Sequence, residues 1–172
     1  MAPSSSELAD AMVERADLLP DHRVVEVGAG TGVVTQALLE VTPLELVLEP
    51  HPPFIQTLRT RFPEQDLAEA PARQLPKLLG PGSVDRVVSS LPWAAWRLSD
   101  QKRELDGILG VLRPNGVLVT FSYVHSVVLP GFRRFEEMLH QQFDEVERSE
   151  VTWRNLPPAI VITARRPVVP TS

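Results

Sequence analysis

The stretch of sequence that decides the fold runs from residue 24 to residue 32 and reads VVEVGAGTG. Residues 23–27 are a short, largely β-branched run, which predicts a buried strand, and residues 33–39 carry a helical pattern directly after the glycines. Gly28, Gly30 and Gly32 alternate with small residues between them, and glycine permits both a tight turn and close approach of a ligand to the backbone. This order of strand, glycine loop and helix predicts a turn against which a ligand binds.

The spacing of the glycines and one acidic residue narrow the choice of ligand. A dinucleotide-binding loop reads G-x-G-x-x-G, whereas Val33 stands at the last of these positions and Gly32 comes one residue early. Glu49 closes the second predicted strand, 21 residues after Gly28, where a carboxylate can accept hydrogen bonds from both hydroxyls of a ribose. Each feature alone could be an ordinary turn or strand end. Together they indicate a nucleoside-like cofactor rather than a dinucleotide.

Strands and helices continue to alternate along the rest of the chain. Further strands are predicted at 44–48, 65–68, 83–89 and 117–121, and helices at 5–17, 54–62, 72–79, 99–112 and 131–142. The last two predicted strands, 146–153 and 159–164, are too close for a crossover helix and should form an antiparallel hairpin. This pattern predicts an α/β fold, with a Rossmann-like doubly wound sheet in a single domain over 1–172 and ligand crevices at the carboxyl ends of the parallel strands.

Composition excludes several classes of function. The 172 residues include no cysteine, which rules out disulfides, a thiolate zinc site and a cysteine nucleophile. The apolar runs are far shorter than the ~20 residues of a membrane-spanning helix. Residues 1–6 show no signal or transit pattern, so a cytoplasmic location is expected. The formal net charge of −5 provides no general attraction to phosphate backbones, so nucleic acid is not the expected partner.

The chain resembles the class I S-adenosylmethionine-dependent methyltransferases over essentially its whole length. The resemblance lies in the glycine motif, in the acidic end of the second strand at Glu49, and in the Arg-Pro-x-Gly turn at 113–116 before the fifth strand. It implies a seven-stranded sheet with the last strand antiparallel, and S-adenosylmethionine as the cofactor. Glu69 stands in the loop where the family usually offers an Asp to the adenine amine. The cofactor contacts that the resemblance implies are Glu26, Gly28, Ala29, Gly30, Thr31, Gly32, Glu49, Pro50, Glu69, Ala70 and Ser89.

The loop after the fourth predicted strand reads Ser90-Leu91-Pro92-Trp93. Amine-methylating members of the superfamily carry Asn/Asp-Pro-Pro-aromatic or Asn-Leu-Pro-aromatic here, so the resemblance implies an amine acceptor with Ser90 in place of Asn. The Ser90 hydroxyl and the Leu91 carbonyl can accept the amine's hydrogens, and Trp93 offers a face for stacking or a cation–π contact. The alternative is that Leu91 and Pro92 merely end the strand while Trp93 fills the core.

Five segments are similar to the bacterial phospholipid N-methyltransferases, namely 3–9, 24–35, 87–92, 121–123 and 153–159. This resemblance implies methylation of a phosphatidylethanolamine-type head group. Ser90, Leu91 and Tyr123 are then the candidate catalytic residues. His125 could take the amine's proton or contact a phosphate. The candidate substrate contacts, which include aromatic walls for a methylated ammonium, are Trp93, Trp96, His125, Trp153 and Asn155.

Several alternatives remain open at this point. Phospholipid methyltransferases usually carry a basic amphipathic segment before the Ser-Ser motif, whereas this sequence starts almost at that motif, so membrane contact is expected to be peripheral at most, at the inner face. A soluble amine or natural-product intermediate is therefore a second candidate acceptor. An RNA adenine dimethylase would need the Asn, a basic surface and a following helical domain. A cofactor-binding protein without methyltransferase activity is the remaining alternative. No metal is required, and the oligomeric state is open.

Overall fold

A seven-stranded mixed sheet organises the computed structural model, which describes residues 5–168. The strands are β1 Val24–Val27, β2 Leu46–Leu48, β3 Leu67–Ala68, β4 Val84–Ser89, β5 Leu112–Tyr123, β6 Phe143–Arg148 and β7 Ala159–Pro167. Their order is β3-β2-β1-β4-β5-β7-β6. The first five strands pair in parallel, whereas β7 lies antiparallel to both β5 and β6. The predicted α/β fold and the antiparallel terminal hairpin are thereby confirmed.

Residues 5–168 contain six α-helices, of which the first precedes β1: α1 Ser6–Arg15, α2 Val33–Leu39, α3 Pro52–Arg61, α4 Leu75–Leu79, α5 Leu98–Val111 and α6 Pro130–Gln142. Single-turn 3₁₀ helices lie at Ala72–Gln74, Trp93–Ala95 and Val124–Ser126. Ser5 caps the start of α1, because its side chain accepts a hydrogen bond of 3.2 Å from the Leu8 N–H. Within residues 5–168, no helix combines the length and apolar character needed to cross a membrane.

Two apolar layers cover the faces of the sheet. Successive residues of β1 point to opposite faces, so Val25 and Val27 join one buried cluster and Val24 joins the other. The first cluster is completed by α4, α5 and α6, and the second by α1, α2 and α3. Burial on both faces explains why β1 reads as an almost continuous apolar run interrupted only by Glu26.

The terminal hairpin differs from its prediction in where its strands lie. β6 begins at Phe143, directly after α6, because the Phe143 side chain is buried in the core and pairs with Pro167. It ends at Arg148 rather than near 153, and residues 149–158 form a connection that is joined to the sheet at Thr152 by a bridge to Ala159. Trp153 therefore lies in a loop rather than in a strand.

Candidate active site

The carboxyl ends of the central parallel strands border a cavity of about 580 Å³. Register places Val27 of β1 beside Leu48 of β2 and Ser89 of β4, so the loops that follow these strands begin next to one another. A cavity of this volume is typical of small-molecule and cofactor sites. The predicted residues that line it are Gly28, Gly30, Glu49, Pro50, Ala70, Ser90, Leu91 and Trp96.

The glycine loop leaves room for a ligand at one position and packs tightly at another. Gly28 has φ +73° and Gly30 has φ +55°, a backbone region that disfavours other residues. A Cβ at Gly28 would lie 2.8 Å from Leu91 Cδ2, so this glycine allows the two loops to pack together. A Cβ at Gly30 would meet nothing within 4 Å, and Gly30 borders the cavity. The backbone at Gly30 is thus open to whatever occupies the cavity.

Glu49 is buried and held in place by the backbone around it. Its Oε2 accepts a hydrogen bond of 2.8 Å from the Gly30 N–H, and its Oε1 accepts one of 2.9 Å from the His51 N–H. The Nδ1 atom of His51 also lies 2.9 Å from Oε1. A carboxylate offers about four lone-pair sites, so acceptor capacity remains for the hydroxyls of a ribose. The geometry therefore fits the nucleoside-binding role predicted for Glu49.

Glu26, another predicted cofactor residue, is fully buried and does not border the cavity. Within residues 5–168, neither of its carboxylate oxygens has a hydrogen-bond partner. Burial raises the pKa of Glu26 to about 8, the Thr35 hydroxyl acts in the opposite direction, and the charge of Glu49 adds to the increase. Glu26 is therefore a largely protonated carboxylic acid at neutral pH, in the strand that carries the glycine loop.

Five other predicted cofactor residues lie outside the lining of the cavity: Ala29, Thr31, Gly32, Glu69 and Ser89. Gly32 packs against α3, since a Cβ there would lie 2.7 Å from the Phe62 ring and 2.9 Å from Leu58. The Ser89 hydroxyl is buried and accepts hydrogen bonds from the Leu91 N–H at 3.3 Å and from Trp93 Nε1 at 3.2 Å, so it stabilises the following loop instead. Thr31 is exposed, and its carbonyl accepts a hydrogen bond from the Arg61 guanidinium. Ala29 is packed in the core, and Glu69 is exposed beside Ala70.

The far wall of the cavity includes a charged pair that the sequence did not reveal. Arg73 Nη1 lies 2.5 Å from Glu104 Oε1, and the Arg73 N–H donates a 3.1 Å hydrogen bond to Glu104 Oε2. Glu104 is buried in α5, and both residues border the cavity together with His51 and Phe54. Thirty-one residues separate Arg73 from Glu104, so no local motif could have identified the pair.

A smaller cavity of about 260 Å³ adjoins the first one and shares Ser90, Leu91 and Pro92 with it. The Ser90 hydroxyl oxygen is buried and has no hydrogen-bond partner in residues 5–168. The Leu91 carbonyl accepts the Trp93 N–H at 2.9 Å and keeps one lone pair. The structure therefore brings the Ser-Leu-Pro loop to the boundary between two cavities.

Tyr123 and His125 line the smaller cavity from the end of β5. Their rings stack with centroids 5.6 Å apart and an interplanar angle of 5°. Burial raises the pKa of the Tyr123 hydroxyl, so this group stays protonated at neutral pH. The two rings form an aromatic wall of the same cavity that the Ser-Leu-Pro loop borders, and each ring carries a polar group.

The tryptophans take three different positions. The Trp93 ring is buried and stacks on Phe135 at 4.3 Å, so its indole packs in the core, and the residue also borders the smaller cavity. Trp96 packs edge-on against Trp93 and borders the larger cavity instead of the smaller one. Trp153 is exposed and borders neither cavity.

Asn155 is buried, contrary to the expectation that it contacts the substrate. Its Oδ1 accepts a 3.0 Å hydrogen bond from the Ser5 N–H, and its Nδ2 donates to the Pro157 carbonyl at 2.6 Å. Both polar atoms of the side chain are used in these hydrogen bonds, which link the start of α1 to the connection between β6 and β7. Asn155 thus has a structural role.

Comparison with known proteins identifies the family to which this site belongs. Residues 25–120, more than half of the chain, match the family model described as "Methyltransferase domain". The chain belongs to this methyltransferase family. The match includes the glycine loop, Glu49 and the Ser-Leu-Pro loop.

Two curated relatives of this methyltransferase are similar over most of its length. The ornithine lipid N-methyltransferase of Singulisphaera acidiphila is 33% identical over 168 residues, which cover 92% of this chain and 83% of that protein. An uncharacterized methyltransferase of Mycobacterium tuberculosis is 29% identical over 147 residues, or 78% of this chain and 58% of that protein. The methyltransferase therefore spans little more than half of the mycobacterial relative.

Two solved structures resemble the methyltransferase in fold. Precorrin-6y C5,15-methyltransferase of Geobacter metallireducens gives a TM-score of 0.70 at 19% identity and covers 93% of this chain and 88% of that one. A SAM-dependent O-methyltransferase of Thermotoga maritima gives a TM-score of 0.70 at 13% identity and covers 96% of this chain and 67% of that one. At such low identity these likenesses establish the class I methyltransferase fold alone.

S-adenosylmethionine is the cofactor of this methyltransferase. The residues present fit it, since the Gly30 backbone is open to the cavity and Glu49 is positioned to accept ribose hydroxyls. When bound, the cofactor supplies a methyl group on a sulfonium. Within residues 5–168, no cluster of His, Asp and Glu could hold a metal ion. The work of the protein is to hold the nucleophile in line with the methyl group and to exclude water.

Proposed function

We propose that this methyltransferase transfers methyl groups to the amine of a lipid head group such as that of phosphatidylethanolamine or an ornithine lipid. One observation carries the proposal: the Ser90 hydroxyl is buried without a partner in residues 5–168, where the cofactor cavity meets the smaller cavity. A buried polar group without a partner is unfavourable unless a ligand satisfies it. An amine nitrogen offers the N–H donors that this site can accept.

In this proposal the Ser-Leu-Pro loop and the aromatic wall formed by Tyr123 and His125 have different roles in the reaction. Ser90 Oγ and the free lone pair of the Leu91 carbonyl accept two amine hydrogens and thereby orient the nitrogen lone pair toward the cofactor cavity. The nitrogen–methyl bond forms as the sulfur–methyl bond breaks, and the amine then loses one proton to water or to the exposed His125 imidazole. The Tyr123 ring provides a π-face for the cation that successive methylations build.

The choice of a lipid amine over a soluble one rests on two further observations. The 33% identical relative from Singulisphaera acidiphila acts on an ornithine lipid according to its name. Several residues that line the smaller cavity are apolar, including Ala94, Phe121 and Leu129. An apolar lining suits the base of a lipid head group better than a small hydrophilic amine.

The test is transfer of labelled methyl from S-adenosylmethionine to vesicles containing phosphatidylethanolamine or an ornithine lipid, with ethanolamine and free ornithine assayed beside them. Label in lipid supports the proposal. Label found only in the soluble amines shows that the acceptor is a small molecule, and absence of label from all of them removes the amine proposal.

A set of variants at one position tests the site itself. Ser90→Ala should lower kcat roughly 10- to 100-fold, since one hydrogen bond to the reacting nitrogen is lost, and should leave the Kd for S-adenosylmethionine unchanged. Ser90→Asn restores an acceptor oxygen and should recover part of the rate. Ser99→Ala, which removes an exposed hydroxyl in the first turn of α5, serves as the matched control. Normal turnover by Ser90→Ala would contradict the assignment.

A further inference from the structure

Four large apolar side chains are exposed in two segments near the smaller cavity. Val128 is 67% exposed and Leu129 43% exposed, and both lie between the 3₁₀ turn at Val124–Ser126 and α6. Trp153 is 70% exposed and Leu156 79% exposed, in the connection between β6 and β7. Isolated exposed apolar residues are ordinary, whereas a group of them marks an interaction surface.

The fold brings these two segments together at the end of the sheet where β5 ends and β7 begins. Tyr123, the last residue of β5, pairs with Ala159, the first residue of β7. The Val124 N–H donates a 2.9 Å hydrogen bond to the Pro158 carbonyl, so both segments leave the sheet at one point. We call Val128, Leu129, Trp153 and Leu156 the apolar rim; Leu129 joins it to the smaller cavity.

Arginines accompany the apolar rim. Arg154 follows Trp153 in the same loop, and Arg133 lies in the first turn of α6; both are exposed. Neither guanidinium forms an ion pair with a carboxylate of residues 5–168. Arg154 interacts electrostatically with Glu7, and Glu150 lies in the same connection as Arg154, so this surface is mixed in charge rather than uniformly basic. Apolar contact should therefore supply most of the binding, with anionic head groups adding to it.

We propose that the apolar rim inserts shallowly into the surface of a lipid bilayer while Arg133 and Arg154 contact anionic head groups. This inference rests on the proposed function, because it explains how a lipid amine could reach the smaller cavity without leaving the membrane. Tryptophan favours the interface between head groups and hydrocarbon, and arginine can bury its stem while its charge stays in water. Four side chains suit shallow insertion better than a stable dimer, which needs about 20–30 residues from each partner.

Sedimentation of the full chain with vesicles tests the apolar rim. Vesicles of equal parts phosphatidylcholine and phosphatidylglycerol should bind the protein, and phosphatidylcholine alone should bind it more weakly. The double variant Trp153→Ser/Leu156→Ser should reduce the partition coefficient at least about tenfold, since two large apolar side chains no longer enter the bilayer. Val41→Ser is the matched control, because Val41 is 60% exposed and follows α2 at the opposite edge of the sheet.

Fluorescence provides an independent reading of the same event. The chain has three tryptophans, and Trp93 is buried while Trp153 is exposed. Addition of the anionic vesicles should shift the emission to shorter wavelength in the wild type and in Val41→Ser. The shift should be lost in Trp153→Ser, which removes the exposed indole.

The outcomes separate this inference from the proposed function. Vesicle binding that the double variant loses supports the apolar rim even if no lipid becomes methylated, a result that would remove the proposed function alone. Failure of the wild type to bind vesicles overturns the apolar rim, and methylation of detergent-dispersed lipid would then leave the proposed function standing. A concentration-dependent dimer without vesicle binding, abolished by the same double variant, would replace the membrane with a second copy of the chain.

Discussion

Replacement of Glu26 by glutamine should make the stability of this methyltransferase less dependent on pH. Glu26 is fully buried and has no hydrogen-bond partner in residues 5–168, and its folded-state pKa is raised from 4.5 to about 8. Glutamine has nearly the same shape and does not titrate. The Glu26→Gln variant therefore isolates the free energy that the folded chain loses when this carboxyl ionises.

The pH-dependent change in the free energy of unfolding follows from the pKa of Glu26 in the unfolded and in the folded chain. Below the unfolded pKa of 4.5 the group is protonated in both states and no penalty arises. Between that pH and about 8 the unfolded chain releases the proton while the folded chain retains it, so the free energy of unfolding falls by about 1.4 kcal/mol per pH unit. The loss reaches roughly 5 kcal/mol above the folded pKa, as an order of magnitude. Wild type should thus lose stability, relative to Glu26→Gln, as pH rises.

Urea unfolding of both proteins over a series of pH values measures this difference, because subtraction cancels the other groups that titrate. The advantage of Glu26→Gln should grow by about 3 kcal/mol between about pH 5.5 and about pH 8.5. Glu45→Gln is a control in which stability should change with pH in the opposite direction. The hydrogen bond with Arg23 lowers the Glu45 pKa, so ionised Glu45 stabilises the folded chain at higher pH and the variant loses that contribution. A Glu26→Gln difference that stays constant with pH would contradict the raised pKa, because it would mean that Glu26 is ionised in the folded protein.

Two further substitutions test the cofactor cavity. Glu49→Ala removes the carboxylate held by the Gly30 N–H and should weaken binding of S-adenosylmethionine at least about 100-fold by isothermal titration calorimetry, as expected for the loss of two hydrogen bonds to a charged group. Gly30→Ala and Gly82→Ala each place a side chain at a similar positive φ, +55° and +58°, with nothing within 4 Å, so each should cost about 1–2 kcal/mol of stability in urea unfolding. Only Gly30→Ala should also impair cofactor binding, because Gly82 does not border the cavity; equal binding by both variants would contradict the placement of the cofactor.

The parts of the cofactor site that could be predicted are those that a single strand and its loop determine. Gly30 lies in the loop after β1, and Glu49 comes directly after β2. Parallel pairing of β1 with β2 then brings these two residues within hydrogen-bond distance. The rule that ligands bind at the carboxyl ends of such strands supplied the rest of the prediction. Short-range sequence features therefore sufficed for this half of the cavity.

The opposite wall depends on packing between distant segments, which no local pattern reveals. Arg73 meets Glu104 because α5 approaches the 3₁₀ turn at Ala72–Gln74 very closely. That approach requires Gly107, since a Cβ there would lie 2.4 Å from the Ala72 carbonyl oxygen. In the sequence Gly107 is an ordinary glycine inside a helix. Only the tertiary structure shows that a larger residue there would collide with the Ala72 backbone.

Trp93 and Asn155 show why polar and aromatic residues near a site are hard to assign from sequence. Either side chain could serve a ligand or the fold, and the choice depends on partners elsewhere in the chain. Trp93 finds Phe135 on α6, and Asn155 finds the backbone of Ser5, so both are used by the fold. An aromatic side chain that stays exposed, as Trp153 does, remains available for contact at the surface.

Trp93 borders the smaller cavity, and its hydrogen bonds also hold the loop that carries Ser90. Its Nε1 donates to Ser89, and its carbonyl accepts a 2.7 Å hydrogen bond from Gln101 Nε2, which also donates to the Gly131 carbonyl at 2.8 Å. These bonds fix the loop from both ends, so the Ser90 hydroxyl lies at the boundary of the two cavities without help from a ligand. The amine binding proposed for Ser90 would then require little ordering of the protein, which is the condition for effective in-line transfer. In that proposal Trp93 acts mainly by holding the loop that carries Ser90.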